Sequence, residues 1–519
     1  MNWLRAAVFA ALFVSGMALP GLAQDVTLTS RDGAVAVTGD LLGYDGEFYR
    51  VDTRFGELTV DASGVSCDGP ACPKLTDFVA EITLAGSSSM AEVLLPALLE
   101  GFAQGNGYVT QRLPLPGGGF VYALQQPGHT LPAARFRFDI STTDQGIDAL
   151  LSGHADVAMA LREIRPQERE RAREAGLGDM THPNHSRVLS LDAMVPIVAP
   201  DNPVRSMSVD DLALVLSGVM TNWAELGGPN APISVHLPGE GSGLAQAVED
   251  RILKPVGTAA TGDAARHQRG SRLTRAVEAD PFALGVASFA EIGNARPLTL
   301  SGDCGYSIAA NRRSIKTEDY PLNSPMFLYI PARRLPKVAR EFLAYTRGPS
   351  AQLVIREAGF VDQVPELVEM DAQGARLANA IASAGDELPL SELQRLTQVL
   401  SPLARLTTSF RFEAGSSRPD AQSRSNIQQL AQALEIGAYD ARKLVFVGFS
   451  DGVGPVTSNQ NIALRRAQAV RDAVIAAAET ANLDRVEISI DAFGEAMPMA
   501  CDGSDWGRQV NRRVEVWTR

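Results

Sequence analysis

Histidine and cysteine are scarce in this chain, with six and four among 519 residues. The histidines are scattered, and His182 and His185 in the stretch HPNH have no third ligand nearby, so no metal site is expected. The cysteines do not cluster as zinc ligands. Long basic runs are absent as well. Lys+Arg 47 against Asp+Glu 60 leaves a formal charge of −13, which removes nucleic acid from the expected partners and argues against an anionic membrane surface. Past the first two dozen residues, no apolar run approaches membrane-spanning length. Glu240-Gly241-Ser242-Gly243 lacks the glycine spacing of a nucleophile elbow, and there is no phosphate-transfer loop. Neither a catalytic residue nor a cofactor is therefore expected. Internal repeats and low-complexity tracts are also missing.

What is present begins with a leader. Arg5 supplies a positive start, residues 6–19 an apolar stretch, and Gly21-Leu22-Ala23 the small residues before a cut at Gln24, so 1–23 reads as a signal peptide. Export implies an oxidising compartment in which disulfides persist. Cys67 and Cys72 flank the turn Asp68-Gly69-Pro70, and a local bridge between them is expected. Cys304 and Cys501 are far apart in sequence, and spacing leaves open whether they pair or stay free.

A chain of this length exceeds one core, so roughly three or more folded units are expected. The fold class reads as multidomain, α/β and α+β. Residues 24–76 carry short alternating runs such as VTLTS and GELTVDA between glycine turns, the pattern of a small all-β module. Residues 77–362 alternate strands and helices, an α/β arrangement. Strands are expected over 136–140, 157–160 and 188–200, with helices from 146 and over 207–216. Residues 117–132, GGGFVYALQQPGHTLP, read as an insertion near a cleft. Residues 363–402 are helical and broken by proline, which reads as a helical linker. Residues 403–519 form a closing α+β unit, with helices over 426–434 and 461–478 and strands over 443–448 and 486–492.

The chain is organised around 82–90, ITLAGSSSM. An apolar run ends in Gly86 and three serines, and helical spacing follows in AEVLLPALLEGF. A strand, tight loop and helix start gather free backbone N–H groups at the positive end of a helix dipole, beside serine hydroxyls. That is an anion site in waiting. Ser89 reads also as an N-cap.

Several segments of 77–362 resemble the phosphate-binding receptors of ABC transporters, a class of periplasmic binding protein. They are LAGSSSMAEVLLPALLEGF, HADVAMALREI, APDNPVRSMSVDDLALVLSGVMTNWAELGG, LPGEGSGL and DYPLNSPMFLYI, in that order. The resemblance implies two α/β lobes that close about a hinge on phosphate or a similar oxyanion. It puts Ser89 where the family has a threonine, with the Met90 amide beside it and Ser87 and Ser88 close by. Thr143 and Asp144 fall in the second ligand loop, Arg162 on the family arginine, and Ser242 and Gly243 in the last loop. Two positions depart: Leu244 replaces a threonine, and Pro238 stands where many members carry a second arginine, with His236 nearby but not equivalent. Either Asp144 or Glu240 is a candidate acceptor for phosphate's proton. Whether an ABC permease is a partner stays open.

VGFSDGVGPVTSNQNIALRRAQAV, FGEAMP and GRQVNRRVEVW resemble the OmpA-like peptidoglycan-binding domain. The resemblance implies that an aspartate takes the ammonium and an arginine the carboxylate of diaminopimelate. Asp451 falls on the aspartate and Arg466 on the arginine, with Asn459 in the intervening loop and Asn511, Arg512 and Arg513 in the closing "NRRVE". Together the two resemblances imply a periplasmic receptor associated with peptidoglycan or the outer membrane. The alternative is a wall-binding adaptor whose receptor domain has lost or changed its ligand.

Overall fold

The computed structural model describes residues 25–519 except 117, 303, 383, 385–387 and 414–415. The leader expected at 1–23 lies outside the described residues. Contacts divide the chain into one unit ending at Ala80 and a second, Glu81–Arg519.

The first unit is an antiparallel sheet of five strands in the order Gly56–Asp61, Phe48–Thr53, Ala36–Tyr44, Asp25–Ser30, Val65–Asp68. Alternation buries Val26, Leu28, Tyr49 and Val51 on one face. Cys67 and Cys72 are bonded, with Cα atoms 5.8 Å apart.

The second unit begins with a lobe built on seven strands, ordered Ser186–Ser190, Met326–Tyr329, Val157–Ala160, Ala80–Gly86, Ala134–Ile140, Phe120–Gln125, Val109–Pro114. Phe120, Tyr122 and Leu124 alternate into its core. Residues 120–125 are therefore a sheet strand and not part of a cleft insertion. The expected helix from 146 begins earlier, at Thr143, because Thr142 and Gln145 form a capping box.

A further lobe carries five strands, ordered Ala265–His267, Ser234–Pro238, Ala283–Ser288, Met194–Val198, Arg296–Pro297. Beside them Ser206–Ser208, Thr299–Ser301 and Ser307–Ile308 make a small sheet. The helix expected over 207–216 starts at Val209, since Ser208 caps it and 206–208 pairs as a strand. Two segments cross between the lobes. They pair through Ser324 N donating to Asp192 O at 2.7 Å and Met194 N to Leu322 O at 2.9 Å. The pairing is antiparallel, with Ala193 opposite Asn323, so two covalent crossings lie side by side between the lobes.

The C-terminal sheet runs Leu367–Val368, Ala404–Arg411, Arg513–Thr518, Lys443–Phe449, Glu487–Ala492. Leu444 and Phe446 pack under the Ala421–Glu435 and Val456–Ala477 helices. Val445, Val447 and Phe449 point the other way, onto Leu396, Leu400 and Ala380 of the helices Leu390–Leu400 and Gly374–Ala382. Within the expected linker 363–402, these two helices are thus a second helical layer of this domain and Leu367–Val368 is a strand of its sheet. The domain is also keyed to the receptor lobes. Asp319 accepts from Arg405 at 2.8 Å and from Arg411 at 2.9 Å, all three side chains being buried. Cys304 is bonded to Cys501, which settles the pairing that spacing left open.

Candidate functional site

Gly86 ends its strand at φ +128°, and a Cβ there would lie 2.1 Å from Met159 O. Only glycine lets the first loop approach the neighbouring strand so closely. Ser87 N then donates to Met159 O at 3.0 Å. The Ser87 side chain is fully buried, and its Oγ has no partner among the described residues. The following turn, Met90–Leu94, is a π-helix, a form often found at functional sites. Ser89 already has helical dihedrals and makes no capping bond, so it is not the N-cap. Met90 is buried within this turn.

The residues expected to converge divide between two cavities. Ser88, Ser89 and Ser242 line a small one of about 30 Å³ together with Glu92, Pro238 and Leu244. Ser242 caps its helix by accepting from Ala245 N at 3.1 Å. Glu291 also lines this cavity; burial, then Asp192 and Glu92, push its carboxyl up to about 7. Where the family's second arginine is missing, Arg266 donates to Pro238 O at 3.1 Å. His267 faces His236 across the same strand pair at 2.9 Å, and burial lowers the pKa of both rings.

Thr143, Arg162 and Gly243 line the larger cavity, about 320 Å³. Gly243 of the larger cavity falls between Ser242 and Leu244 of the small one in sequence, and its absent Cβ would lie 3.0 Å from the Ser87 side chain. Thr143 Oγ1 accepts from Leu161 N at 3.1 Å. Arg162 is surrounded by acid. It donates to Glu168 at 2.6 and 2.9 Å and to Asp144. Burial lowers its pKa, but these carboxylates outweigh it and hold the guanidinium charged above its usual range. Asp144 accepts also from Arg165 at 3.0 Å. Its burial raises the pKa, but the arginine bonds win and hold it at about 2. Both terminal nitrogens of Arg162 are thus engaged by carboxylates, while its buried Nε has no partner among the described residues. Sequence reasoning missed Glu168 and Arg165, although Arg165-Pro166 with Glu168 is a legible helix-start pattern. It also missed Arg251, half-buried and bonded to Pro321 O at 2.9 Å and to Asn323 O on the crossing segment. Its carbonyl partners lie about seventy residues away in sequence, so no local signal marked it.

In the C-terminal domain, Asp451 is paired with Arg512 at 2.7 Å. Arg466 lies over the Phe412 ring at 5.1 Å and donates to Ser416 O at 3.5 Å, and its Nε has no partner among the described residues. Burial and Arg512 lower the Arg466 pKa while Asp451 raises it, so the three charges form one cluster. Asn459 is buried and donates to Glu495 at 2.6 Å. Asn511 is 0 % exposed, accepting from Met499 N at 2.6 Å and donating to Ala500 O and Asp502, each at 2.8 Å. Both asparagines hold the frame. The ionic groups that present charge are Asp451, Arg466 and Arg512.

Residues 73–349 match the PBP superfamily domain model, and 411–512 match the OmpA family model. The SphX protein of Synechococcus elongatus is 27% identical over 234 residues, which is 43% of this chain and 67% of that relative. A phosphate-binding protein PstS of Staphylococcus haemolyticus is 22% identical over 290 residues, 53% of this chain and 85% of the relative. Outer membrane porin F of Pseudomonas aeruginosa is 28% identical over 117 residues, 22% of this chain and 32% of the porin.

Proposed function

The chain belongs to the PBP superfamily, and from that premise we propose that it is a periplasmic receptor for phosphate or a similar oxyanion, held to peptidoglycan by its OmpA-like domain. The observation that carries the receptor reading is the glycine-gated serine turn at the start of a helix, facing the Ser242 cap across the lobes. Backbone N–H groups at helix starts and serine hydroxyls suit a tetrahedral oxyanion, whose every oxygen accepts. Ser87, Ser88, Ser89 and the Met90 amide would supply one wall, Thr143 and Asp144 the second loop, and Ser242 and Gly243 the opposite wall. Arg162 would swing from its carboxylates to the anion as the hinge closes. The named phosphate binder among the relatives supports the ligand class. An ABC permease is the further partner this reading calls for.

The wall reading rests on the Asp451, Arg512 and Arg466 cluster. Diaminopimelate presents an ammonium and a carboxylate at one end, and the cluster offers both complementary signs. Removing one charge strands another that is partly buried, so the loss exceeds the ~0–1 kcal/mol of a surface pair.

Calorimetry with phosphate, sulfate and related oxyanions tests the first reading. Phosphate should release or absorb heat and raise the melting temperature. No heat and no shift for any oxyanion leaves the adaptor alternative in its place. Pull-down on isolated sacculi tests the second reading, using the full chain because its C-terminal sheet is covered by residues 374–400. Asp451→Ala and Arg466→Ala should both lose binding while Arg465→Ala keeps it. Full binding by the first two defeats the assignment.

A further inference from the structure

Beside Asp451 runs a loop, 498–504, that is fixed from two directions. From within its own domain, Asn511 holds the backbone of Met499 and Ala500 and donates to Asp502 Oδ1 at 2.8 Å. Asp502 in turn uses Oδ2 to accept from Gly452 N at 2.8 Å. Gly452 is the residue after Asp451, so the backbone carrying the proposed ammonium acceptor is set by Asp502. From the other side the loop is fixed by the receptor. Cys501 is bonded to Cys304, which lies between the strands Thr299–Ser301 and Ser307–Ile308 of the second lobe. A Cβ on Gly302 would lie 2.5 Å from Cys501 Sγ, so the two loops meet as closely as glycine permits. The Tyr306 hydroxyl donates to Pro498 O at the far end of the same loop.

A continuous line thus runs from the second receptor lobe through Cys304, Cys501, Asp502 and Gly452 to Asp451. The bond spans 197 residues. A cross-link of that span restricts the two loops to one relative placement. Once it is broken, 498–504 keeps the hydrogen bonds and the Met499, Ala500 and Val510 packing of its own domain, and its described ties to the receptor reduce to non-covalent contacts such as Tyr306 to Pro498 O.

We propose that the receptor domain is a working part of the wall site: the Cys304–Cys501 disulfide and Asp502 position Asp451 for the peptide, and wall affinity falls when the bond is opened. Asp502 is here a positioning residue, since it touches the frame and not the ligand. The proposal rests on the wall-binding reading above.

The test uses full-length oxidised protein and sacculi containing diaminopimelate. Wild-type binding in the absence of reductant reports the wall reading by itself; its absence sinks that reading and this one together. The Cys304→Ser/Cys501→Ser variant should bind at least fivefold more weakly. Dithiothreitol should weaken the wild type to the same level and leave the variant unchanged, which controls for the Cys67–Cys72 bond. Asp502→Asn leaves the disulfide in place and keeps side-chain size, but it cannot accept from both Gly452 and Asn511. It should weaken sacculus binding with an unchanged melting temperature, whereas a purely structural role lowers the two together. Wild-type-like affinity in a folded double-serine variant, with no effect of dithiothreitol on the wild type, overturns the proposal.

Discussion

Asp144→Asn should tighten phosphate binding. Asp144 competes for the guanidinium that the anion needs: it accepts from Arg162 and, at 3.0 Å, from Arg165. An anion taken up by Arg162 would sit roughly 5 Å from the Asp144 carboxylate, where two like charges repel by about 3 kcal/mol at an effective dielectric near 20. The Asp144 side chain is 42% exposed, so solvent screening cuts that figure to about 1 kcal/mol. Freeing one charge-assisted donor on Arg162 adds a similar amount. The total, about 1–2 kcal/mol, corresponds to roughly five- to thirtyfold in Kd. Asparagine keeps the shape and can still accept one arginine bond, so stability should change little. Calorimetric titration of wild type and variant at neutral pH reads the effect directly. Equal or weaker affinity for both phosphate and sulfate refutes the competition argument. Weaker phosphate with unchanged sulfate instead makes Asp144 the acceptor of phosphate's proton.

Asp319→Ala strands Arg405 and Arg411, buried with side-chain exposures of 3% and 4%, and should lower stability by about 3–5 kcal/mol in urea unfolding; a change below about 1 kcal/mol would show that Glu515 and the backbone carbonyls satisfy both arginines. Gly86→Ala puts a Cβ 2.1 Å from Met159 O at φ +128°, so the variant should lose at least about 3 kcal/mol or fail to accumulate, and normal melting would contradict the packing at the first loop. Glu291, with its folded pKa raised to about 7 from 4.5, favours the folded state fully below pH 4.5 and progressively less as pH rises through 7, a change on the order of 2 kcal/mol. Melting curves between pH 5 and 8 should slope less in Glu291→Gln than in wild type; parallel slopes would deny the shift.

Much of the fold was legible because periodicity and turn chemistry are local. Alternation in VTLTS and the glycine of the first loop each act within a few residues, and each sits in the element its pattern suggests, whereas the Thr142–Gln145 capping box, equally local, went unread and left the helix start three residues late. The family resemblances, by contrast, are what implied roles for Ser89, Arg162, Ser242, Asp451 and Arg466. The sequence by itself determined which groups carry the hydroxyls and charges. Their partners it did not determine. Glu168 and Asp144 on Arg162, Arg512 on Asp451, and Cys304 on Cys501 are choices of tertiary packing. The apolar faces of the helices Gly374–Ala382 and Leu390–Leu400 match a sheet whose strands, Leu367–Val368 apart, come after them, so a segment that reads as a linker contributes a core layer. The physical reason is range. Backbone propensity and side-chain periodicity are set by neighbours within about a turn or two of helix, whereas an ion pair or disulfide is settled only when burial brings distant residues together and removes the water that would otherwise serve them.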